Sequence, residues 1–305
     1  MSPTVLRRAL PMIFCIFAGC LVFTEAGTPN LLQPIALWPA STGGLYALDR
    51  TEGLFYLPGA GADLYLKNSV KFAAFRASWQ TIDMTAVPSG TDDRVYVVLG
   101  QETIGMLACY SNRRFERSWI AKTLLTGIAS DPAGHRLFLS GGLKNEIYEL
   151  DTNDPGASPT KLFVGVHDSQ ILGPLVFDAK GHTLYAGDQR TGTIFSIDVE
   201  SKSVSKLVQI AGQPNALAFD SSRRALLIAD SVGRKVWLVS VDKKNAKAQI
   251  FSSSSEFRQP TAIAIDSSGG IWVGDQESKA IFRLSPSGAT TSYHLILGAE
   301  PGSQP

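Results

Sequence analysis

Cysteine and histidine are scarce in this chain, with three and four residues among 305. Cys15 and Cys20 fall in an apolar N-terminal stretch, so Cys109 stands alone beyond it. A chain cut after residue 26 can then form no internal disulfide, and its fold must be held by packing. The motifs that usually carry chemistry are also missing: no His-Glu-x-x-His, Cys-x-x-Cys, Gly-x-Ser-x-Gly, phosphate-binding glycine loop or EF-hand. Neither charge sign dominates, with 28 basic and 27 acidic residues. An even balance gives no electrostatic reason to favour nucleic acid or an anionic membrane surface. There is no Asn-x-Ser/Thr glycosylation site, and no apolar run at helical spacing after residue 28, so little helix is expected.

What the chain has is a repeat. Pro174-Leu175-Val176-Phe177-Asp178 is followed by Leu184-Tyr185-Ala186-Gly187-Asp188. Asn215–Asp220 is followed in the same way by Leu226–Asp230, and Thr261–Asp266 by Ile271–Asp275. Anchoring each copy on the first apolar residue of its second strand gives Leu45, Val95, Leu137, Leu184, Leu226 and Ile271, with spacings of 50, 42, 47, 42 and 45 residues. Four short strands in each such period predict an all-β fold, a six-bladed β-propeller with four-stranded antiparallel blades. Apolar residues on both sides of segments such as Leu226-Leu227-Ile228-Ala229 fit sheets buried between neighbouring blades.

Several recurrent residues read as turn chemistry. Gly134, Gly181 and Gly269 sit in first hairpins, where positive φ is needed. Asp49, Asp188, Asp230 and Asp275 end second strands, where a carboxylate can accept backbone amides of the next few residues. A turn-former is needed once per blade, a catalytic group only once. His135 and His182 fall in equivalent first hairpins and read the same way. Cys109 reads as a small buried hydrophobe in a strand, and the run Arg113-Arg114-Phe115-Glu116-Arg117 as a solvated loop between two strands.

The N-terminus carries an export pattern: Arg7 and Arg8, an apolar stretch Ala9–Phe23 that is short for a membrane span, then small residues before Gly27. Three outcomes stand open: cleavage after Ala26, lipidation at Cys20 within Phe17-Ala18-Gly19-Cys20, or an uncleaved anchor. The expected organisation is a signal peptide over 1–26, a propeller over 29–297 and a tail over 298–305. The expected location is secreted or periplasmic, with membrane contact only through a lipid at Cys20.

Pro214-Asn215-Ala216-Leu217-Ala218-Phe219-Asp220, with Ala229-Asp230-Ser231 and Lys235-Val236-Trp237, resembles the blade signature of NHL-repeat proteins and the SMP-30/gluconolactonase family. The resemblance runs over about residues 30–297 and is strongest over 170–285. For the lactonase branch it implies a divalent metal in the central channel, held by a Glu from the first inner strand and an Asn and an Asp from later blades. Asn215 matches the metal-binding Asn. The other positions depart from the pattern: Gln33-Pro34-Ile35 stands for Gly-Glu-x-Pro, Leu172-Gly173-Pro174 for an Asn-Asp-Gly start, and Pro260-Thr261-Ala262 for Pro-Asp-Gly. No carboxylate is found at the alignable strand starts.

The site candidates are thus Asn215, together with His167 and Asp168 in the loop leading into the fourth inner strand. The expected function is a non-catalytic binding or scaffold module for a protein, peptide or glycan on a propeller rim, without nucleic acid or cofactor. The alternative is an SMP-30-like metal-dependent lactonase or esterase, for which a divalent cation (calcium, zinc, magnesium or manganese) would be required.

Overall fold

The computed structural model describes residues 30–58, 70–131, 133–142, 144–154, 157–163, 166, 169–178, 180, 182–242, 246–293 and 296–297. The N-terminal segment 1–26, the tail 298–305, Gly181, His167 and Asp168 lie outside the described residues.

A two-residue strand β1 (Asn30–Leu31) precedes the first blade, β2 (Pro34–Pro39), β3 (Leu45–Asp49), β4 (Gly53–Leu57) and β5 (Val70–Ala73). The second blade is β6 (Gln80–Ser89), β7 (Asp92–Gln101), β8 (Ile104–Ser111) and β9 (Arg114–Ala121). The third is β10 (Leu125–Ser130), β11 (Arg136–Gly141), β12 (Glu146–Asp151) and β13 (Thr160–Phe163). The fourth is β14 (Leu172–Phe177), β15 (Thr183–Asp188), β16 (Thr193–Asp198) and β17 (Ser203–Gln209). The fifth is β18 (Pro214–Asp220), β19 (Ala225–Asp230), β20 (Lys235–Ser240) and β21 (Ala248–Ser252). The sixth is β22 (Pro260–Ile265), β23 (Ile271–Asp275), β24 (Ala280–Leu284) and β25 (Thr290–Tyr293), and β26 (Ile296–Leu297) pairs back onto β1. Each blade is a four-stranded antiparallel meander, and no helix occurs among the described residues. The chain is an all-β six-bladed propeller, as its repeat predicts.

The inner strands β2, β6, β10, β14, β18 and β22 pack against their neighbours in turn, and β22 returns to β2. The apolar core is accordingly six layers, one between each pair of blades. Between blades 1 and 2 lie Tyr46, Leu48 and Leu54 with Met84, Val97 and Leu99. At the sixth interface Leu37, Leu45 and Phe55 meet Ala264, Trp272 and Ile281. Second strands are buried on both faces, and β3, β19 and β23 contain no exposed residue. That double burial explains why their sequences are nearly continuous apolar runs, without strict alternation.

Among the described residues no strand is exchanged between the first and last blades, since all four strands of each are consecutive in the chain. The ring closes through the β22–β2 packing, the β1–β26 pair and a hydrogen bond from Thr261 Oγ1 to the Pro34 carbonyl at 2.8 Å.

The recurring aspartates do more than cap their own turns. Asp230 accepts the Gly233 amide at 2.8 Å and the Gln213 amide at 2.9 Å with one oxygen, and the Trp237 indole N–H at 2.9 Å with the other. Gln213 immediately precedes β18, so one carboxylate ties the start of the inner strand to the turn after β19. Asp188 does this for the Gln170 amide, Asp275 for Arg258 and Gln259, and Asp49 for Gln33. All four are fully buried. Gly134 and Gly269 take φ of 70° and 81° in their hairpins.

The charged run in blade 2 differs from its reading as a loop. Only Asn112 and Arg113 form the turn, with φ of 48° and 60°, a two-residue connection of the kind whose twist suits a hairpin. Arg114–Ala121 is the outer strand β9, and the Arg113 guanidinium lies 4.2 Å from the centre of the Tyr56 ring. Cys109 is buried in β8, and burial pushes its thiol up to about 12.

Candidate functional site

Every inner strand carries a register irregularity near its start. The extra residue is Ile35 in β2, Ile82 in β6, Thr126 in β10, Asn215 in β18 and Thr261 in β22; β14 carries the pair Gly173-Pro174. A bulge leaves one residue out of the ladder and re-aims its side chain. Repeated six times around the axis, it presents a ring of side chains at one mouth of the central channel. Five of them, Ile35, Ile82, Thr126, Asn215 and Thr261, line a cavity of about 630 Å³.

Blade 4 contributes differently. A Cβ on Gly173 would lie 2.6 Å from Cγ of Gln189, so the missing side chain makes room for Gln189 to reach the cavity from the turn after β15. Gln276 after β23 and Arg50 after β3 occupy corresponding turns and also line it. The remaining wall is the connection from β5 to β6, which brings in Phe75, Arg76 and Trp79. A turn closed by the Trp79 amide on the Arg76 carbonyl, at 2.9 Å, sets the last two side by side.

Among the described residues, Asp83 is the one carboxylate lining this cavity. It follows the bulged Ile82 in β6 and also borders the narrow throat of the channel, beside Met84 and Ile128. One oxygen accepts the Met84 amide at 2.8 Å and the other the Ile128 amide of blade 3 at 3.1 Å. Burial outweighs these two bonds and pushes its carboxyl up to about 7. The channel therefore does hold a carboxylate, contrary to the expectation from the alignable strand starts. β6 begins Gln80-Thr81-Ile82-Asp83 and lacks the proline that marks β2, β18 and β22, so the blade signature has no anchor at its start.

Asn215 stands at the mouth as a bulged residue, and its Oδ1 accepts the Ser231 hydroxyl at 2.5 Å.

A divalent cation of the kind the lactonase resemblance implies would need several hard oxygen ligands. Asp83 supplies one carboxylate with both oxygens already engaged, and Asn215 one amide oxygen held by Ser231. Among the described residues no group of three or more His, Cys, Asp or Glu could hold a metal ion. The described mouth residues do not fit such an ion.

Residues 175–296 match the family model described as the SMP-30/Gluconolactonase/LRE-like region, in line with the resemblance carried by the repeats. Among curated proteins, the protein cueball of Drosophila persimilis is 28% identical over 110 residues, which cover 33% of this chain and 17% of that protein. The same figures hold for its Drosophila pseudoobscura pseudoobscura counterpart. The match thus spans about a sixth of those relatives. Among solved structures, a chain of the nidogen/laminin complex aligns with a TM-score of 0.66 at 16% identity, covering 80% of this chain and 91% of that one. A catalytically inactive virginiamycin B lyase from Staphylococcus aureus with quinupristin gives 0.62 at 12%, covering 88% and 86%. A chain of the mitotic checkpoint complex gives 0.59 at 10%, covering 88% and 98%. At these identities the likeness is one of fold.

Proposed function

We infer that the protein is an extracytoplasmic propeller that binds its ligand without transforming it, holding a protein, peptide or glycan at the channel-mouth rim. The observation that carries this reading is the composition of the bulge ring. Ile35, Ile82, Thr126, Asn215 and Thr261, with Gly173, offer shape and hydrogen bonding but no set of converging acids and bases. Matches to propeller chains from protein complexes support a binding role, and the export pattern over Arg7–Ala26 supports a place outside the cytoplasm.

A metal-dependent lactonase or esterase is the second reading, favoured by the family match over 175–296. A divalent-metal titration of the melting temperature separates the two, with calcium, zinc, magnesium, manganese and chelator, on the wild-type protein and on Asn215→Ala and Asp83→Asn. Binding to the folded state alone would raise the transition by linkage. The expected result is no shift with any cation. A rise of several degrees that disappears in both variants would replace the binding module with the enzyme.

A further inference from the structure

The mouth cavity has a charge pattern that its ring does not explain. Arg50 and Arg76 face it from two different connections, and among the described residues Asp83 is the one acidic side chain lining it. Among the described residues neither guanidinium has an ion-pair or side-chain hydrogen-bond partner, although other arginines such as Arg136 and Arg224 pair with acidic side chains elsewhere. Arg50 is nonetheless held in place through its backbone: Thr81 Oγ1 donates to the Arg50 carbonyl at 3.0 Å and to that of Asp49 at 3.1 Å. Below the arginines the wall changes character. Trp79 and Phe75 are half-buried; Gln189, Asn215 and Gln276 bring amide groups, and Thr126 and Thr261, whose hydroxyl protons go to the Leu172 and Pro34 carbonyls, bring oxygens that can still accept.

We propose that this cavity takes an acidic sugar, a hexuronate residue of a glycan, with its carboxylate on Arg50 and Arg76 and its ring over Trp79. The proposal rests on the reading of the mouth as a binding site and names its ligand class. A guanidinium is the group best shaped to grip a carboxylate through paired N–H bonds. The apolar C–H face of a pyranose suits the indole, and its hydroxyls suit side-chain amides and threonines. The volume of about 630 Å³ lies within the range of about 300–1,000 Å³ typical of small-ligand pockets. A peptide strand would instead call for an open sheet edge, whereas the bulges turn side chains and not a free ladder toward the cavity.

Asp83 adds a pH dependence. Burial keeps its carboxyl largely protonated below about 7, when it can exchange hydrogen bonds with a hydroxyl and does not repel an anion. Among the described residues, Arg50, from the β3–β4 turn, and Arg76, from the β5–β6 connection, are the other charged groups facing the cavity. Affinity for the acidic sugar therefore falls as pH rises from 6 to 8.

Calorimetric titration with digalacturonate tests this, with cellobiose as the neutral counterpart and a short peptide with a free C-terminal carboxylate as the third probe. Digalacturonate is expected to bind, and the double variant Arg50→Gln/Arg76→Gln to weaken it by about 10-fold or more, the range for charge-assisted bonds. Both arginines are exposed, so an unchanged melting temperature shows that the variant is folded. Asp83→Asn is expected to flatten the decline between pH 6 and 8. Absence of digalacturonate binding, or binding unaffected by the double variant, overturns the proposal. Arginine-dependent binding of the peptide alone overturns the sugar assignment but leaves the binding module standing. Lactone turnover lost in Asp83→Asn would instead remove the binding module itself.

Discussion

Asp83 is the residue at which stability and site chemistry meet. Its carboxyl titrates near 7 in the folded chain and near 3.8 in the unfolded one, because burial penalises the charged form. The fold thus favours the neutral acid. Below pH 3.8 both states are protonated and nothing is lost; between 3.8 and 7 the unfolded state ionises first, and folding stability declines by as much as about 4 kcal/mol. Replacing Asp83 by Asn removes the ionisation while keeping an acceptor for one of its two amides. The stability difference between Asp83→Asn and wild type should therefore move in the variant's favour from pH 4 to pH 7 and level off above. Urea midpoints measured across that range check it. A difference that stays flat would mean that the carboxyl is not held in its neutral form. The same residue marks the limit of what the chain discloses when read alone. Asn215 could be singled out from its Pro-Asn-x-Leu context. Asp83 could not, because its role depends on a bulge in β6, and a one-residue shift of register leaves no signature in composition or spacing. Gln189 was hidden more deeply, since it reaches the cavity only because Gly173, 16 positions earlier in the chain, has no side chain.

Among the elements, the unit that recurs is the pair of inner and second strands locked by a buried aspartate. The sequence discloses this unit well: Asp49, Asp188, Asp230 and Asp275 stand out as turn residues by repetition alone. Their second task, gripping the amide ahead of the inner strand, joins residues 17 positions apart in the case of Gln213 and Asp230, and only the assembled sheet reveals it. Asp230 shows what depends on the lock. Replacing it by Ala leaves the half-buried Gln213 and Gly233 amides and the Trp237 indole N–H without their acceptor, each costing about 1 kcal/mol, the lower end of the range for a stranded donor. We expect Asp230→Ala to lose at least about 3 kcal/mol, and Asp230→Asn about half of that, since its remaining oxygen can still serve the two amides. Chemical unfolding of the two variants measures this. Equal losses would place the energy in charge and not in bond count. Blades 2 and 3 carry Leu99 and Gly141 where the other four have this aspartate. The lock is therefore one means of fixing a blade, and apolar packing around β7 and β11 is another. The charged run at Arg113–Arg117 departs from its loop reading for a related reason: exposed charge on an outer strand resembles a loop until the two-residue turn at Asn112-Arg113 is seen.

For the molecule as a whole, the six interblade layers are alike, and the layer between the last and first blades is built as the others are. Since β1 and β26 pair antiparallel, the flanks of the propeller are adjacent. A circular permutant that joins these flanks by a short linker and opens between Ser255 and Glu256, both exposed, keeps every layer. It should fold with a melting temperature within a few degrees of the parent, as permutation at exposed loops generally allows. A much larger drop in a calorimetric scan would show that the native order of blades matters to the core. The missing strand exchange also has a mechanical consequence. In a ring where each blade keeps its own four strands, the clasp is side-chain packing, one threonine bond and a two-residue ladder. Tension applied at residues 30 and 297 meets that clasp before it meets any full sheet. Under load the circle would part at this seam into an open arc of six intact blades, and unravelling of individual strands would come only after the circle had become a line.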